Sequence, residues 1–292
     1  MKKLIAVFTV IVLFGTDLTM ASTWTTIDYP GAGWSEARGI SGNNIAGKFF
    51  YTSDESGVMH GFLYNGTTYT AIDNPVGGMT SIHGINGSDI VGDYGAHGFI
   101  YDGTTWTTLN HTGATFTGAY GIDGSNIVGS YENANGSSHG FLYDGTNWTT
   151  IDYPEAIETE ADGISGSNIV GGYTDSSGND HGYLYNGTNY ITLDMSGATG
   201  TEASGIDGGN IVGDYTDSSG NDHGFLYDGV NWITLDYPEA TDTWANGISG
   251  SNIVGGYTDA LGDDHGFIYT IPEPATICML GLGALSLLRR KK

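Results

Sequence analysis

A unit of about 42 residues recurs six times along the 292-residue chain, and this repetition limits the possible folds more than any other feature. Each copy carries a Gly-Ile pair, an Asn-Ile-Val-Gly core or a variant of it, a His-Gly-aromatic triplet or a variant of it, and an aromatic residue that opens a Thr-rich segment. The triplet histidines are His60, His97, His139, His181, His223 and His265. Repeats of this length bury a continuous core only by packing on their neighbours, so residues 22–270 are predicted to form one domain.

Four short strands are predicted in each repeat. In the copy that begins at Gly163 they are Gly163–Ser165, Asn168–Tyr173, His181–Tyr185 and Tyr190–Asp194. Short links rich in Gly, Asn and Asp are typical of hairpins, so these strands form an antiparallel meander. The longer stretch after the fourth strand, which often contains Pro, is expected to cross to the next sheet, and each sheet is expected to begin at Gly-Ile.

The two ends of the repeat array complete each other. The last repeat lacks a fourth strand after His265–Tyr269, and the array begins with a spare fourth strand, Trp24–Asp28. Pairing the two would close the array into a ring that leaves only short sheet edges. The sequence therefore predicts an all-β, six-bladed β-propeller of four-stranded repeats, closed by the N-terminal strand. The alternative is an open β-solenoid, in which the spare strand has no partner.

The predicted propeller body is strongly acidic. Of the 8 Lys and Arg and 33 Asp and Glu residues of the chain, 2 basic and 31 acidic residues lie between residues 22 and 270, a net charge of −29. Such a surface repels nucleic acid and anionic lipid, which argues against both as partners of the body. Cys278, the single cysteine, lies in the C-terminal tail, so the body can form neither a disulfide nor a thiolate metal site.

The N-terminal segment, residues 1–21, is predicted to be a secretory signal peptide. Lys2 and Lys3 precede a mostly apolar run from Leu4 to Phe14, and the segment ends at a small-residue cleavage site. The apolar run is too short for an ordinary membrane-spanning helix. The protein is therefore expected to be exported.

The tail, residues 271–292, has three parts in a fixed order. It starts with Pro272, Glu273 and Pro274, continues with an apolar run from Ile277 to Leu288, and ends in a basic cluster. A basic cluster after an apolar run is typical of a stop-transfer sequence. The whole arrangement resembles the PEP-CTERM sorting domain of Gram-negative bacteria. Because the apolar run is short for a full span, a plain C-terminal membrane anchor is the alternative.

This resemblance implies how the protein is handled and where it acts. An exosortase-type enzyme would process the tail, which is the only part expected to contact the membrane, and the protein would be released or attached at the cell surface. Proteins of this kind look like parts of exopolysaccharide or biofilm-forming systems. The repeats, for example Gly84-Ile85-Asn86 and His223-Gly224-Phe225, also resemble extracellular HAF-type repeats, although Gly replaces the Ala of the triplet. That second resemblance implies a secreted repeat protein and no established activity.

The repeated histidines are predicted to be structural. Equivalent positions round a ring lie far apart, whereas catalysis needs different residues placed against one another. We therefore expect one hydrogen-bonded His in each blade. His83 and His111 fall outside the repeat register and are predicted to be incidental loop residues.

The loop between the second and third strands is a candidate calcium site in three repeats. Its carboxylates and neighbouring oxygens could surround Ca²⁺. The candidate ligands are Asp175, Asp180, Asp217, Asp222, Asp259 and Asp264. The loop lacks the spacing of an EF-hand, and its composition is equally typical of a hairpin turn, which is the favoured interpretation. Calcium is the only cofactor that the sequence suggests.

Two tryptophans are candidates for stacking on a sugar ring. Trp34 and Trp244 are expected in the links between blades, where an indole face could be exposed to a glycan. The tryptophans that recur in register are expected to pack inside the blades instead.

No sequence motif identifies an active site, and no catalytic residue is predicted. The chain has no nucleophile elbow, P-loop, zincin or dinucleotide motif, and its 31 body acids do not single out a catalytic pair. The favoured function is a non-enzymatic binding or structural module at the cell surface or in an exopolysaccharide matrix. The alternatives are a carbohydrate-active enzyme with an acidic pair at the propeller mouth and a calcium-dependent adhesion module.

Overall fold

Residues 23–51 and 57–271 are described by the computed structural model, and β-strands account for all of their regular secondary structure. Within these ranges no helix is long and apolar enough to cross a membrane. The predicted signal peptide and the sorting residues Pro272, Glu273 and Pro274 lie outside the described residues.

The strands form six antiparallel sheets, each a meander of neighbouring strands. In chain order they are β1 (Thr23–Thr26), β2 (Ala32–Ser41), β3 (Asn44–Tyr51), β4 (His60–Tyr64), β5 (Tyr69–Ile72), β6 (Thr80–Asn86), β7 (Asp89–Tyr94), β8 (His97–Tyr101), β9 (Trp106–Leu109), β10 (Phe116–Asp123), β11 (Asn126–Glu132), β12 (Ser138–Tyr143), β13 (Trp148–Ile151), β14 (Glu158–Thr159), β15 (Gly163–Ser165), β16 (Asn168–Thr174), β17 (Asp180–Tyr185), β18 (Tyr190–Leu193), β19 (Gly200–Asp207), β20 (Asn210–Thr216), β21 (Asp222–Tyr227), β22 (Trp232–Leu235), β23 (Asp242–Ser249), β24 (Asn252–Thr258) and β25 (Asp264–Thr270).

The sheets are the blades of a six-bladed β-propeller. The first strands of neighbouring sheets contact each other all the way round, so these strands are the innermost ones. The sixth blade has the order β1-β25-β24-β23, and its outermost strand is the N-terminal one. The pairs Thr23–Thr270 and Thr26–Phe267 set the register of this closure. Both the propeller and its closure by the first strand are confirmed.

The hydrophobic core lies between adjacent blades. Apolar residues of the Ile-Val segment in one blade pack against the aromatic and Ile residues of the next, as Val91 of β7 does with Phe141 and Ile127 of the third blade. Each blade contributes one fully buried aromatic residue from its third strand: Phe62, Phe99, Phe141, Tyr183, Phe225 and Phe267. Because every blade is covered by its neighbours, closing the ring buries the faces that the first and last blades would otherwise expose.

The predicted starting point of each sheet was wrong. The innermost strands begin several residues before Gly-Ile, since β2 starts at Ala32 and β23 starts at Asp242, which pairs with Thr258. Trp34 and Trp244 are therefore strand residues and do not lie in links. A β-bulge in five of the innermost strands, and a break between β14 and β15 in the fourth blade, interrupts the two-residue alternation that a sequence pattern would show and hides the first half of the strand.

Candidate functional site

One residue is left out of the ladder in the innermost strand, directly before the Gly of Gly-Ile. In β2, Ala37 pairs with Gly47 and Gly39 pairs with Ala46, so Arg38 has no partner and the strand bulges. The same register shift occurs in β6, β10, β19 and β23. In the fourth blade the corresponding residue lies in the break between β14 and β15. The six residues, here called the axial residues, are Arg38, His83, Tyr120, Asp162, Ser204 and Asn246.

The axial residues are all different, although the Gly-Ile pair that follows them is the same in every blade. A bulge re-aims a side chain, and here it directs all six towards one place. They line a cavity of about 320 Å³, the axial cavity, together with Ser81, Asp93, Glu160 and Glu202. The same six residues and the Gly-Ile segments line a neighbouring cavity of about 180 Å³. The propeller thus places six chemically different polar groups against one another.

Close packing of the glycines that follow the axial residues holds this ring together. A Cβ atom on Gly163 would lie 3.0 Å from the Ser204 carbonyl oxygen and 3.1 Å from the Gly205 Cα. A Cβ atom on Gly205 would lie 2.8 Å from the backbone carbonyl oxygen of Asn246. Only Gly allows neighbouring innermost strands to approach this closely, which brings the axial residues within reach of one another.

The first blade provides a buried ion-pair cluster around Glu36, whose exposed fraction is 3%. Glu36 Oε2 lies 3.0 Å from Arg38 Nε and 3.4 Å from Lys48 Nζ. Its Oε1 accepts hydrogen bonds from Trp244 Nε1 at 2.7 Å and from Asn246 Nδ2 at 3.0 Å. Burial opposes ionisation of Glu36, but the two cations and these donors outweigh it and lower the pKa of the carboxyl. The cluster fixes Arg38 and Asn246 at the cavity.

The fourth and fifth blades provide three carboxylic acids on another part of the cavity wall and a fourth beside them. Glu160, Asp162 and Glu202 line the cavity, and Asp214 is paired with Glu202 across β19 and β20. Burial raises the pKa of each of these carboxyls, and repulsion from neighbouring acids raises it further. Arg38 offsets part of this effect on Asp162, Glu202 and Asp214. The wall formed by the fourth and fifth blades therefore carries an excess of acid, which Arg38 of the first blade only partly neutralises.

His83 and Tyr120 complete the wall between these two parts. His83 Nε2 lies 2.8 Å from an Asp93 oxygen, and burial lowers the pKa of the imidazole although Asp93 favours its charged form. The Tyr120 hydroxyl lies 3.0 Å from Ser130 Oγ, and burial raises the pKa of the phenol. His83 lies in β6, so its prediction as a loop residue was wrong.

The six repeated histidines all have a hydrogen-bond partner, as predicted. Each lies close to the Asp or Asn at the end of the fourth strand of its blade, as in His181 Nδ1 with Asp194 at 3.1 Å and His97 Nδ1 with Asn110 at 2.9 Å. The other pairs are His60–Asp73, His139–Asp152, His223–Asp236 and His265–Asp28. One hydrogen-bonded His in each blade is confirmed.

Trp34 and Trp244 both use the polar edge of the indole within the protein. Trp34 Nε1 donates to Asp264 at 2.9 Å, and its ring stacks on Phe50 with centroids 5.2 Å apart. Trp244 Nε1 donates to Glu36, as described above. Both residues are partly exposed. Stacking of a sugar on either ring stays a prediction.

The candidate calcium loops are closed by their own hydrogen bonds. Asp175 Oδ1 accepts the backbone N–H groups of Ser177 at 2.7 Å and Asn179 at 2.9 Å, and Asp180 accepts the Thr174 hydroxyl at 2.8 Å. Asp217 and Asp222 make the same contacts, as do Asp259 and Asp264. In the described part of the chain, no group of three or more His, Cys, Asp and Glu side chains is placed to hold a metal ion. Calcium binding here stays a prediction.

Comparison with known families identifies the tail. The PEP-CTERM protein-sorting motif matches residues 270–292. The motif marks the chain as an exported protein that is sorted by an exosortase and carries a membrane-anchoring C-terminal tail. No curated protein matches the sequence.

Comparison with solved structures supports the fold. The β-propeller domain of the Trilobed protease from Pyrococcus furiosus matches with a TM-score of 0.50 and 12% identity, over 78% of this chain and 76% of that one. The acylaminoacyl peptidase of Pyrococcus horikoshii matches with a TM-score of 0.51 and 12% identity, over 82% of this chain and 52% of that one. The sialidase of Trypanosoma rangeli matches with a TM-score of 0.50 and 8% identity, over 81% and 54%. The chain thus spans about half the length of the latter two proteins, and these similarities concern the propeller fold alone.

Proposed function

We propose that the protein is a non-enzymatic binding module of the cell surface, and that its axial cavity holds a sugar unit of an exopolysaccharide. The observation that carries this proposal is the presence of six different polar side chains at the one position where all six blades meet. A merely structural ring has no need for a different residue in each blade, whereas a site for an asymmetric ligand does.

The chemistry of the wall suits a ligand that is rich in hydroxyl groups. Arg38 and Asn246 offer N–H donors, the acids accept, and Ser204 and Tyr120 can do both. A sugar hydroxyl also donates and accepts, so it can pair with every one of these groups. The cavity volume of about 320 Å³ lies within the range of small-molecule sites.

The location of the protein fits this ligand. A protein sorted by an exosortase reaches the outer side of the cell envelope, where an exopolysaccharide layer is available to bind. The proposal includes three further points. Residues 1–21 are a signal peptide, the repeats are of the HAF type, and the source is a Gram-negative bacterium. The acidic body favours a matrix partner that is neutral or cationic over one that is anionic.

A carbohydrate-active enzyme is the second candidate, and one observation favours it. Carboxyls with a raised pKa, such as Glu160 and Asp162, are suited to act as a general acid in glycoside cleavage. Among the described residues, the acid next to the cavity that has a lowered pKa is Glu36, which does not line the cavity but contacts Arg38 and Asn246. It is buried and paired with Arg38 and Lys48, so it is poorly placed to act as a nucleophile.

The two candidates are separated by incubating the full-length protein with purified exopolysaccharides and measuring both binding and new reducing ends. Binding without turnover, weakened by Asn246→Ala at the axial cavity, is the expected result. Asn43→Ala, in the exposed hairpin turn between β2 and β3 of the blade that carries Arg38, is the control. New reducing ends would establish the enzyme instead, and unchanged binding by the Asn246 variant would place the ligand elsewhere.

A further inference from the structure

Glu202 is an acidic residue at the axial cavity. Burial and neighbouring charges determine its pKa, with no hydrogen bond from the described residues. The residue is exposed, and it lines two cavities. One is the axial cavity, and the other is a cavity of about 230 Å³ that is also lined by Glu160 and Asp180. An acid in this position has room for a ligand, and repulsion from the acids around it favours a counter-charge.

Asp162 makes a second, independent demand for a donor. Its Oδ2 atom is buried and has no hydrogen-bond partner among the described residues, and the residue lines the axial cavity. Buried carboxylate oxygens are rarely left unpaired, because each one loses its hydration without compensation. Glu202 and Asp162 therefore both lack the same thing, which is a positively charged hydrogen-bond donor.

The protein supplies too few cations to meet this demand. Arg38 and Lys48 are the only basic residues of the body, and both are paired with Glu36. His83 is paired with Asp93, and burial lowers the pKa of its imidazole, so it is not a strong source of charge. The counter-charge must come from the ligand if the acids are to be ionised at neutral pH.

We infer that the axial cavity selects a sugar unit that carries a primary ammonium group, with Glu202 and Asp162 as its acceptors. This inference rests on the proposed sugar-binding function. An ammonium group has three N–H donors and fits carboxylate oxygens on several sides, whereas the described acids are not grouped to coordinate a metal ion. The net charge of −29 on residues 22–270 would also concentrate such a cationic glycan near the protein.

The test compares two glycans that differ in whether the amine is free, and so can carry a charge, or acetylated and uncharged. Chitosan oligosaccharides and fully N-acetylated chitin oligosaccharides of equal length are titrated into the full-length protein by calorimetry. About 0.3 M salt is used to screen attraction to the general surface. Charge-assisted hydrogen bonds predict binding of the amine form about ten-fold or more tighter than the acetylated form. Glu202→Gln should remove most of this preference, whereas Asp263→Asn, which removes one charge from an exposed loop, should leave it intact.

Each other outcome is decisive. If both glycans bind equally and Glu202→Gln changes neither affinity, the ammonium preference is wrong and the proposed sugar-binding function stands. If Glu202→Gln and Asp263→Asn weaken the amine form alike, the preference is only general surface attraction, and the inference fails. If neither these glycans nor the exopolysaccharides of the preceding test bind, the proposed function fails with it.

Discussion

Asp28 Oδ2 lies 2.8 Å from His265 Nδ1, a contact between residues 237 positions apart that joins the two ends of the propeller. Asp28 Oδ1 also accepts the backbone N–H of Gly266 at 3.2 Å. The same side-chain contact occurs inside other blades, for example between Asp194 and His181. There it joins residues 13 positions apart that already share a hairpin. The chemistry is the same at both places, but only the first contact closes the ring.

Asp28→Ala should therefore destabilise the protein more than Asp194→Ala does. Asp28 and Asp194 are both partly exposed, so the loss of their hydrogen bonds predicts about 0.5–1.5 kcal/mol at either site, and detachment of β1 adds to it at the first. Only β1 pairs with the free edge of β25, so its release exposes the core of the sixth blade. Urea denaturation followed by Trp fluorescence measures the difference. Equal midpoints for the two variants would show that the closure contributes no more than any other contact.

Gly205→Ala should be costly, whereas Gly209→Ala should be nearly neutral. A Cβ atom on Gly205 would lie 3.0 Å from the Cα of Gly247 in the next blade, where backbone cannot easily move away. A Cβ atom on Gly209 would have nothing within 4 Å. Overpacking predicts a loss of about 1–3 kcal/mol for the first variant. Thermal unfolding measures the loss, and a Gly205 variant as stable as the Gly209 variant would show that the inner ring is loosely packed.

Processing of the tail can be followed by mass spectrometry of the protein recovered from the cell surface. Sorting through residues 270–292 predicts a mature chain that ends before Cys278, because the apolar run would be left in the membrane. Pro272→Ala with Pro274→Ala should leave the basic end of the chain in place, and Pro238→Ala in the propeller is the control. An intact C-terminus in the unchanged protein would favour a plain membrane anchor.

The sequence predicts the propeller better than it predicts the site, and the reason is physical. Strands, turns and core positions are the features that six blades must share, so repetition makes them visible in residues such as Ile127 and Phe141. The site lies where the blades differ. Arg38 and His83 are the residues before two of the Gly-Ile pairs, and that variable position was the available signal. The bulge that brings it to the axis follows from hydrogen bonding between strands, which side-chain periodicity does not reveal.

The cost of the unpaired acids should appear in the pH dependence of stability. The pKa of Glu202 is raised above its usual 4.5 in the folded protein, so folding favours the protonated form. The stabilisation that comes from protonated Glu202 is fully present below the pKa of this carboxyl in the unfolded chain, and it is lost as the pH rises through the pKa in the folded protein. The charged and titratable groups that influence Glu202 or are influenced by it are Arg38, Glu160, Asp162, Asp180, Asp214 and Asp222.

Glu202→Gln, which cannot ionise, should therefore raise the melting temperature at neutral pH by at most about 2 °C, because solvent at the exposed side chain screens the repulsion, and the gain should shrink towards about pH 4. Folding favours the neutral imidazole of His83, so His83 makes the protein more stable as the pH rises towards neutral. This effect is the same in the parent and in the Glu202 variant, so it cancels when their melting temperatures are subtracted. Melting temperatures of both proteins across this range provide the measurement, with Asp263→Asn as the surface control. A Gln variant that is less stable than the parent at neutral pH would mean that Glu202 already has a partner in the folded protein, and the site would then have no demand for a cationic ligand. A Gln variant that is more stable but binds the amine form less well would show that Glu202 lowers the stability of the fold and serves ligand binding.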